Sequence, residues 1–304
     1  MTRPPRSPLA AFLSALRPRQ WVKNVFVLAA LVFAGRLHDP AAVLRALAAF
    51  GVFCLLSSSV YLFNDIRDRD ADRAHPKKRH RAIASGELAP GVAAGASVLL
   101  AIAALVAAFA LTPRLGGVAA AYFVLNLAYS FGLKRVVILD VMLVAAGFLL
   151  RAWAGAAVLD VAISHWLVLC TGLLALFLGF VKRRQELQAL GGTEATRAIL
   201  KEYSLEYLDQ MIAVVTGATV VAYALYAFSP EVAQKLGTRT IGLTIPFVVF
   251  GIFRYLYPGA PARGGGKPDG PRPVRPPARG RHPPLGAVRR RRPLRLEVTK
   301  PGFS

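Results

Sequence analysis

The feature that most constrains this chain is the recurrence of apolar runs about as long as a bilayer is thick. A helix needs about 20 apolar residues to cross the hydrocarbon core. The first 257 residues supply such runs at 21–37, 41–63, 89–111, 115–133, 136–157, 163–181, 210–228 and 239–257. With 55% hydrophobic and 18% charged residues and a mean hydropathy of +0.47, a soluble globular domain is excluded. The sequence predicts an all-α, polytopic membrane helix bundle of about eight transmembrane helices. Several runs are rich in Ala, Leu, Val and Gly, which lets helices approach closely in lipid. Arg17, Arg19 and Lys23 crowd the first run and no small-residue cleavage site ends it, so a cleavable signal peptide is not expected.

The formal net charge is +22, and it is unevenly placed. Residues up to Lys23, with 64–88, 134–135 and 182–209, carry 19 Lys and Arg, whereas the alternate connections hold only Arg36, Arg114, Lys235 and Arg239. Arg45, Arg151 and Arg254 lie within runs. Basic residues are retained on the cytoplasmic side, so a multi-pass plasma-membrane protein with its N-terminus and both long loops in the cytoplasm is expected. Residues 258–304 are a different polymer, with 12 Lys and Arg, 2 Asp and Glu, and 11 of the 21 prolines. Such a composition cannot bury a core and is expected to be disordered. The expected division is an intramembrane domain at 1–257 and a basic Pro/Arg/Gly-rich tail at 258–304. Cys54 and Cys170 fall inside runs and read as small core residues rather than a disulfide or metal pair.

The loop after the second run concentrates acidic residues: Asn64-Asp65-Ile66-Arg67-Asp68-Arg69-Asp70-Ala71-Asp72. If the helix continues, each residue turns about 100°, which puts Asp68 at about 40°, Asp72 at about 80° and Asp65 at about 100° from Asn64, with Asp70 at about 240°. One face then presents three carboxylates and an amide oxygen. All-oxygen donors suit Mg²⁺, which takes one or two carboxylates together with substrate phosphates. The interleaved Arg67, Arg69 and Arg73 allow a plain solvated, salt-bridged loop, but the shared face at the end of an apolar helix favours a metal–phosphate site.

Downstream, Lys77 and Arg81 are four residues apart and could neutralise phosphate oxygens, while Lys78 and His80 are explained by topology alone. Neither His75 nor His80 has a partner at zinc-ligand spacing. Tyr129 through Lys134-Arg135, the nearby Asp140, and Lys182-Arg183-Arg184-Gln185-Glu186 end or begin runs, and ionisable groups in such places are functional candidates. Arg151 reads equally as a snorkelling or structurally paired residue. No dinucleotide, P-loop or HExxH pattern is present, and Ser57-Ser58-Ser59 have no His/Asp partners for a hydrolase triad.

The Asn64-Asp65-x-x-Asp68-x-x-x-Asp72 pattern with Lys77 and Arg81 resembles the aspartate-rich motif of the UbiA-type intramembrane prenyltransferase superfamily. Leu16–Asn24, Tyr61–Gly86, Tyr129–Lys134, Lys182–Leu187 and Tyr203-Ser204 are similar to the branch of that superfamily that transfers phosphoribose. The resemblance implies an enzyme, with 1–257 as its transferase domain. It implies transfer of 5-phosphoribose from phosphoribosyl diphosphate to a polyprenyl (decaprenyl) phosphate, with release of diphosphate. It implies that Asn64, Asp65, Asp68 and Asp72 hold Mg²⁺, the three aspartates being the catalytic set. Lys77, Arg81, Lys134 and Lys182 would bind phosphate, with Tyr129 and Asp140 among the substrate-binding residues. Lys23 and Asn24, carried over from the motif, would close the pocket.

Members of the superfamily have nine spans, and here the ninth is replaced by the 258–304 stretch, which a reading-frame shift near codon 257 of a GC-rich gene would explain. Three other functions are weaker. A related enzyme could move the isoprenoid itself to an aromatic acceptor. A transporter would need charges near the bilayer midplane. Nucleic-acid binding would rest on the tail's Arg content alone.

Overall fold

A computed structural model describes residues 6–76, 78–189, 198–238 and 240–257. Among them there is no β-strand. The helices are α1 (Pro8–Ala15), α2 (Ala29–Phe33), α3 (Pro40–Arg67), α4 (Arg69–Ala74), α5 (Ala82–Ser85) and α6 (Pro90–Leu111), followed by α7 (Pro113–Phe131) and α8 (Leu139–Leu159). The chain continues as α9 (His165–Ala189), α10 (Leu205–Phe228), α11 (Pro230–Leu236) and α12 (Ile245–Leu256). The basic tail expected at 258–304, and the frame shift invoked for it, lie outside the described residues.

Helix starts follow local chemistry. Pro sits in the first turn of α1, α3, α6 and α7, where its missing N–H costs nothing. Asp39 caps α3 by accepting the Ala41 and Ala42 amides at 3.0 and 3.2 Å, and Thr112 caps α7 by accepting the Leu115 amide at 3.0 Å.

Five of the expected runs are helices long and apolar enough to cross a membrane: α3, α6, α8, α9 and α10. The chain is thus an all-α, multi-pass membrane protein; of about eight expected spans, these five are long and apolar enough by themselves among the described residues. Helix α7 is less apolar, since its 19 residues include Arg114, Asn126 and Ser130. The last run is a 3-10 turn at Thr240–Thr244 and the 12-residue α12. The first run, expected as one span at 21–37, is 3-10 helix over Pro18–Leu28 and α-helix only at α2. The β-branched Val22, Val25 and Val27, together with Asn24, are weaker α-helix formers there. This segment also presses its backbone onto α8: a Cβ at Gly155 would collide with the Val27 carbonyl.

Helix α3 is the innermost, with 61% of its most apolar stretch buried against 28% for the peripheral α6. Small residues bring the two together: Ala42, Ala46 and Ala49 on α3, and Ala101, Ala104 and Ala108 on α6, are buried. Ser59 and Ser97 each donate a hydroxyl to the other's carbonyl, at 2.8 and 2.9 Å. A second core forms where α9 and α10 meet, around Phe177, Val181, Leu208 and Ile212. The turn after α1, the α3–α4 junction, the α7–α8 connection and the segment before α10 are linked by ion pairs and hydrogen bonds at one end of the bundle.

Candidate active site

Helix α3 carries Asn64 and Asp65 to the charged end and stops at Arg67. Asp68 leaves the helical region (φ −91°, ψ 9°), and α4 restarts at Arg69. Two hydrogen bonds bridge the break: the Asp68 amide donates to the Asn64 carbonyl at 2.9 Å, and the Asp72 amide donates to the Asp68 carbonyl at 2.7 Å. The continuous helix assumed for the acidic face is therefore corrected to a broken one. The facing holds for its extremes, since Asp65 and Asp72 are buried whereas the Asp70 side chain is 94% exposed.

One guanidinium gathers the buried pair. Arg81 donates through Nη1 to Asp65 Oδ1 at 3.0 Å and to Asp72 Oδ2 at 2.6 Å. Arg17 also donates to Asp65 Oδ1 and stacks over the Tyr61 ring at 5.0 Å. It reaches there from the turn between α1 and the 3-10 segment, where its own backbone is left-handed (φ 54°, ψ 57°). Asp68 belongs to a separate pair. Lys134, on the 3-10 turn Leu133–Arg135 after α7, donates to both of its carboxylate oxygens at 3.0 and 3.2 Å. Asn64 accepts the Ser130 hydroxyl.

Among the described residues no three His, Cys, Asp or Glu side chains are close enough to hold one ion. In this structure the three carboxylates stand in two groups, Asp65 and Asp72 on Arg81 and Asp68 on Lys134. The physical reason is charge: with cations within reach, carboxylates pair with them rather than crowd one another. The donors still fit Mg²⁺ by their chemistry. They are hard oxygens, and this ion is held through one or two carboxylates plus phosphate oxygens and water rather than in an all-protein cage.

Asp140, expected to bind substrate, is fully buried at the start of α8 with both oxygens engaged. Arg183 Nε donates to Oδ2 at 2.7 Å and the Tyr203 hydroxyl donates to Oδ1 at 2.7 Å. Arg183 Nη1 donates to Glu186 Oε2 at 2.8 Å. Burial and the Asp140 carboxylate raise the Tyr203 phenol far above its ordinary pKa, so it stays a donor. Asn24, expected to close the pocket, is likewise interior. It donates to Ser57 Oγ at 3.2 Å, and its amide oxygen accepts from Arg151 Nε at 2.8 Å. Arg151 also donates to the Tyr122 hydroxyl at 2.6 Å and to the Gly147 carbonyl at 2.8 Å, which makes it a buried, fully paired residue rather than a snorkelling one. Both placements have one cause: a polar side chain inside a bundle is drawn to the nearest buried partner.

Lys23 is partly buried, within electrostatic reach of Lys182, Arg151 and Arg17. Lys182 is 61% exposed and lies 3.9 Å from Glu186. Tyr129 is partly buried on α7, within electrostatic reach of Arg183. Lys77 lies outside the described residues. From the sequence, Arg17 and Tyr203 have no individual site role, and Ser130 and Arg183 stand only as members of candidate clusters. The available signal was the rule that a buried carboxylate needs a cation or several hydrogen bonds, which required partners for Asp65 and Asp140.

The family model for the UbiA prenyltransferase family matches residues 24–257. A decaprenyl-phosphate phosphoribosyltransferase of Mycolicibacterium smegmatis is 43% identical over 240 residues, covering 77% of this chain and 76% of that protein. One of Mycobacterium tuberculosis is 38% identical over 260 residues, covering 84% and 85%. Among solved structures, a UbiA homolog from Archaeoglobus fulgidus bound to DMAPP and Mg²⁺ superposes with a TM-score of 0.65 at 16% identity, covering 82% of this chain and 88% of that one. That likeness concerns the fold.

Proposed function

The chain belongs to the UbiA prenyltransferase family, and on that premise we propose that it transfers 5-phosphoribose from phosphoribosyl diphosphate to a polyprenyl phosphate, decaprenyl phosphate by likeness to its relatives. The observation that carries this reading is the 43% identity to a decaprenyl-phosphate phosphoribosyltransferase across about three quarters of both chains. The site chemistry supports it. A polyanionic, water-soluble donor needs cations and hard-oxygen ligands at a bundle end, and a lipid acceptor needs an apolar bundle beneath them.

In the reaction, an oxygen of the acceptor phosphate forms a bond to C1 of the ribose as the bond from C1 to the diphosphate oxygen breaks. The bonding pair leaves with the diphosphate. The acceptor is already anionic at neutral pH, so no strong base has to remove a proton. Asn64, Asp65, Asp68 and Asp72 would hold Mg²⁺, which supplies neutralisation of charge on the diphosphate. Arg81 and Lys134, whose side chains are 30% and 28% exposed, exchange a carboxylate partner for phosphate oxygens when the donor arrives. Lys182 would offer positive charge to the acceptor phosphate, and Lys23 would close the pocket beside it. Catalysis then consists of holding C1 and the acceptor oxygen in line while charge builds on the leaving group. The charged end lies in the cytoplasm of a plasma-membrane protein, a reading supported by the bias of Lys and Arg toward that end's segments.

Membranes containing the protein, given ribose-labelled phosphoribosyl diphosphate, will move label into organic-extractable lipid only when polyprenyl phosphate and Mg²⁺ are present. Labelled prenyl diphosphate consumed with an aromatic acceptor, and no ribose label in lipid, would overturn the reading in favour of isoprenoid transfer.

A further inference from the structure

The connection from α7 to α8 contains a backbone conformation that an isoleucine does not adopt unaided. Ile138 has φ 68° and ψ −48°, and the Leu139 amide donates to the Val137 carbonyl across it at 2.7 Å. This is the rare, positive-φ γ-turn, and a β-branched residue is the least suited to it. Such strain persists where surrounding contacts over-determine it. Here one side chain from a distant segment does so. The Tyr203 hydroxyl accepts the Ile138 amide at 2.8 Å and donates to Asp140 Oδ1 at 2.7 Å, so a single oxygen ties together two points on either side of Leu139. Asp140 is in turn fixed by Arg183.

The anchored turn continues without slack to Lys134. The Arg135 amide donates to the Gly132 carbonyl at 2.9 Å, the Val136 amide to Leu133 at 3.2 Å, and the Asp140 amide to Val136 at 3.1 Å. Lys134 is four residues before Ile138 and holds both oxygens of Asp68. We propose that Tyr203 is a positioning residue: its hydroxyl clamps the strained turn at Ile138 and thereby holds the Lys134 ammonium at Asp68, where the diphosphate of the substrate is bound. The proposal rests on the reading that Lys134 serves a diphosphate, but not on which group that diphosphate carries.

The test uses inorganic diphosphate with Mg²⁺, titrated calorimetrically into the purified full-length protein in detergent. Tyr203→Phe keeps the ring and removes only the clamping oxygen. It is expected to weaken diphosphate binding about fivefold, the scale of one hydrogen bond. Lys134→Ala is expected to weaken it more, and adding Tyr203→Phe to Lys134→Ala is expected to change affinity by no more than about 1.5-fold, because the hydroxyl acts through that ammonium. Tyr207→Phe, the same chemical change on the neighbouring ring 6.0 Å away, is expected to leave affinity unchanged. A Tyr203→Phe protein that binds like wild type would overturn the proposal. So would the full fivefold loss persisting in the Lys134→Ala background, or wild-type protein that binds no diphosphate. Wild-type protein that gives the expected cycle but transfers no phosphoribose leaves the clamp standing and removes the proposed function.

Discussion

Two clusters at the charged end are built from the same parts and are used differently. Around Asp65, Asp68 and Asp72, the carboxylates meet Arg17, Arg81 and Lys134, and the cation side chains are 26–30% exposed. Around Asp140, the carboxylate meets Arg183 and Tyr203, with Asp140 at 0% and Arg183 at 5% exposure. The Lys134–Asp68 pair, with side chains 28% and 41% exposed, gains little from being paired, so its members can change partners at small cost. Asp65 and Asp72 are buried, and only the cation end of their pairs reaches solvent. A sealed pair has already lost its hydration, and separating it leaves a bare charge in the interior. The first cluster is thus suited to receive a charged ligand and the second to hold a backbone still. Acidic residues at a bundle end are not equivalent candidates for chemistry; the solvent access of the cations they pair with sorts them.

Breaking the sealed cluster has the largest expected effect. Arg183→Ala leaves Asp140 uncompensated and is expected to cost about 3–5 kcal/mol, seen as a collapse of the thermal unfolding midpoint and loss of a monodisperse peak in detergent. An unchanged midpoint would erase the distinction between the clusters. Next comes Asp68→Asn in the open cluster. It is expected to lower the transfer rate about 100-fold, close to 2.7 kcal/mol in activation free energy, while the unfolding midpoint stays put. Arg81→Lys is milder. An ammonium keeps the charge but lacks the further guanidinium nitrogens that Arg81, bound to Asp65 and Asp72 through Nη1 alone, can offer to phosphate oxygens; about a tenfold rise in KM for phosphoribosyl diphosphate is expected in initial-rate assays. Asp70→Asn, at a side chain 94% exposed, is expected to change the rate less than about twofold. Equal losses for Asp68→Asn and Asp70→Asn would sink the assignment of the open cluster.

The sequence made the bundle legible because transmembrane helices announce themselves by run length and composition. It also exposed the acidic motif, through the turn angle of a helix, and Asp70 lies outside as that angle requires. The break at Asp68 was not legible, since a one-residue departure from helix leaves no trace in periodicity. The 3-10 segment Pro18–Leu28 lays its Val27 carbonyl against Gly155, more than 100 residues away in the chain, a contact that no local pattern announces. Asp140 and Asn24 stood out as polar residues in apolar surroundings, which marks a need for partners but does not say whether a ligand or a side chain meets it. Their partners Arg183, Tyr203 and Arg151 come from other elements, and only the fold brings them near.

The central claim is that the open cluster directs cleavage of the donor at C1 of its ribose. Purified protein should be given phosphoribosyl diphosphate carrying one label in the ribose and a different label in the diphosphate, together with polyprenyl phosphate and Mg²⁺. Ribose label is expected in the lipid phase, diphosphate label in the aqueous phase, and equal amounts of each formed with time. Diphosphate label in the lipid, or neither label there, would contradict the claim.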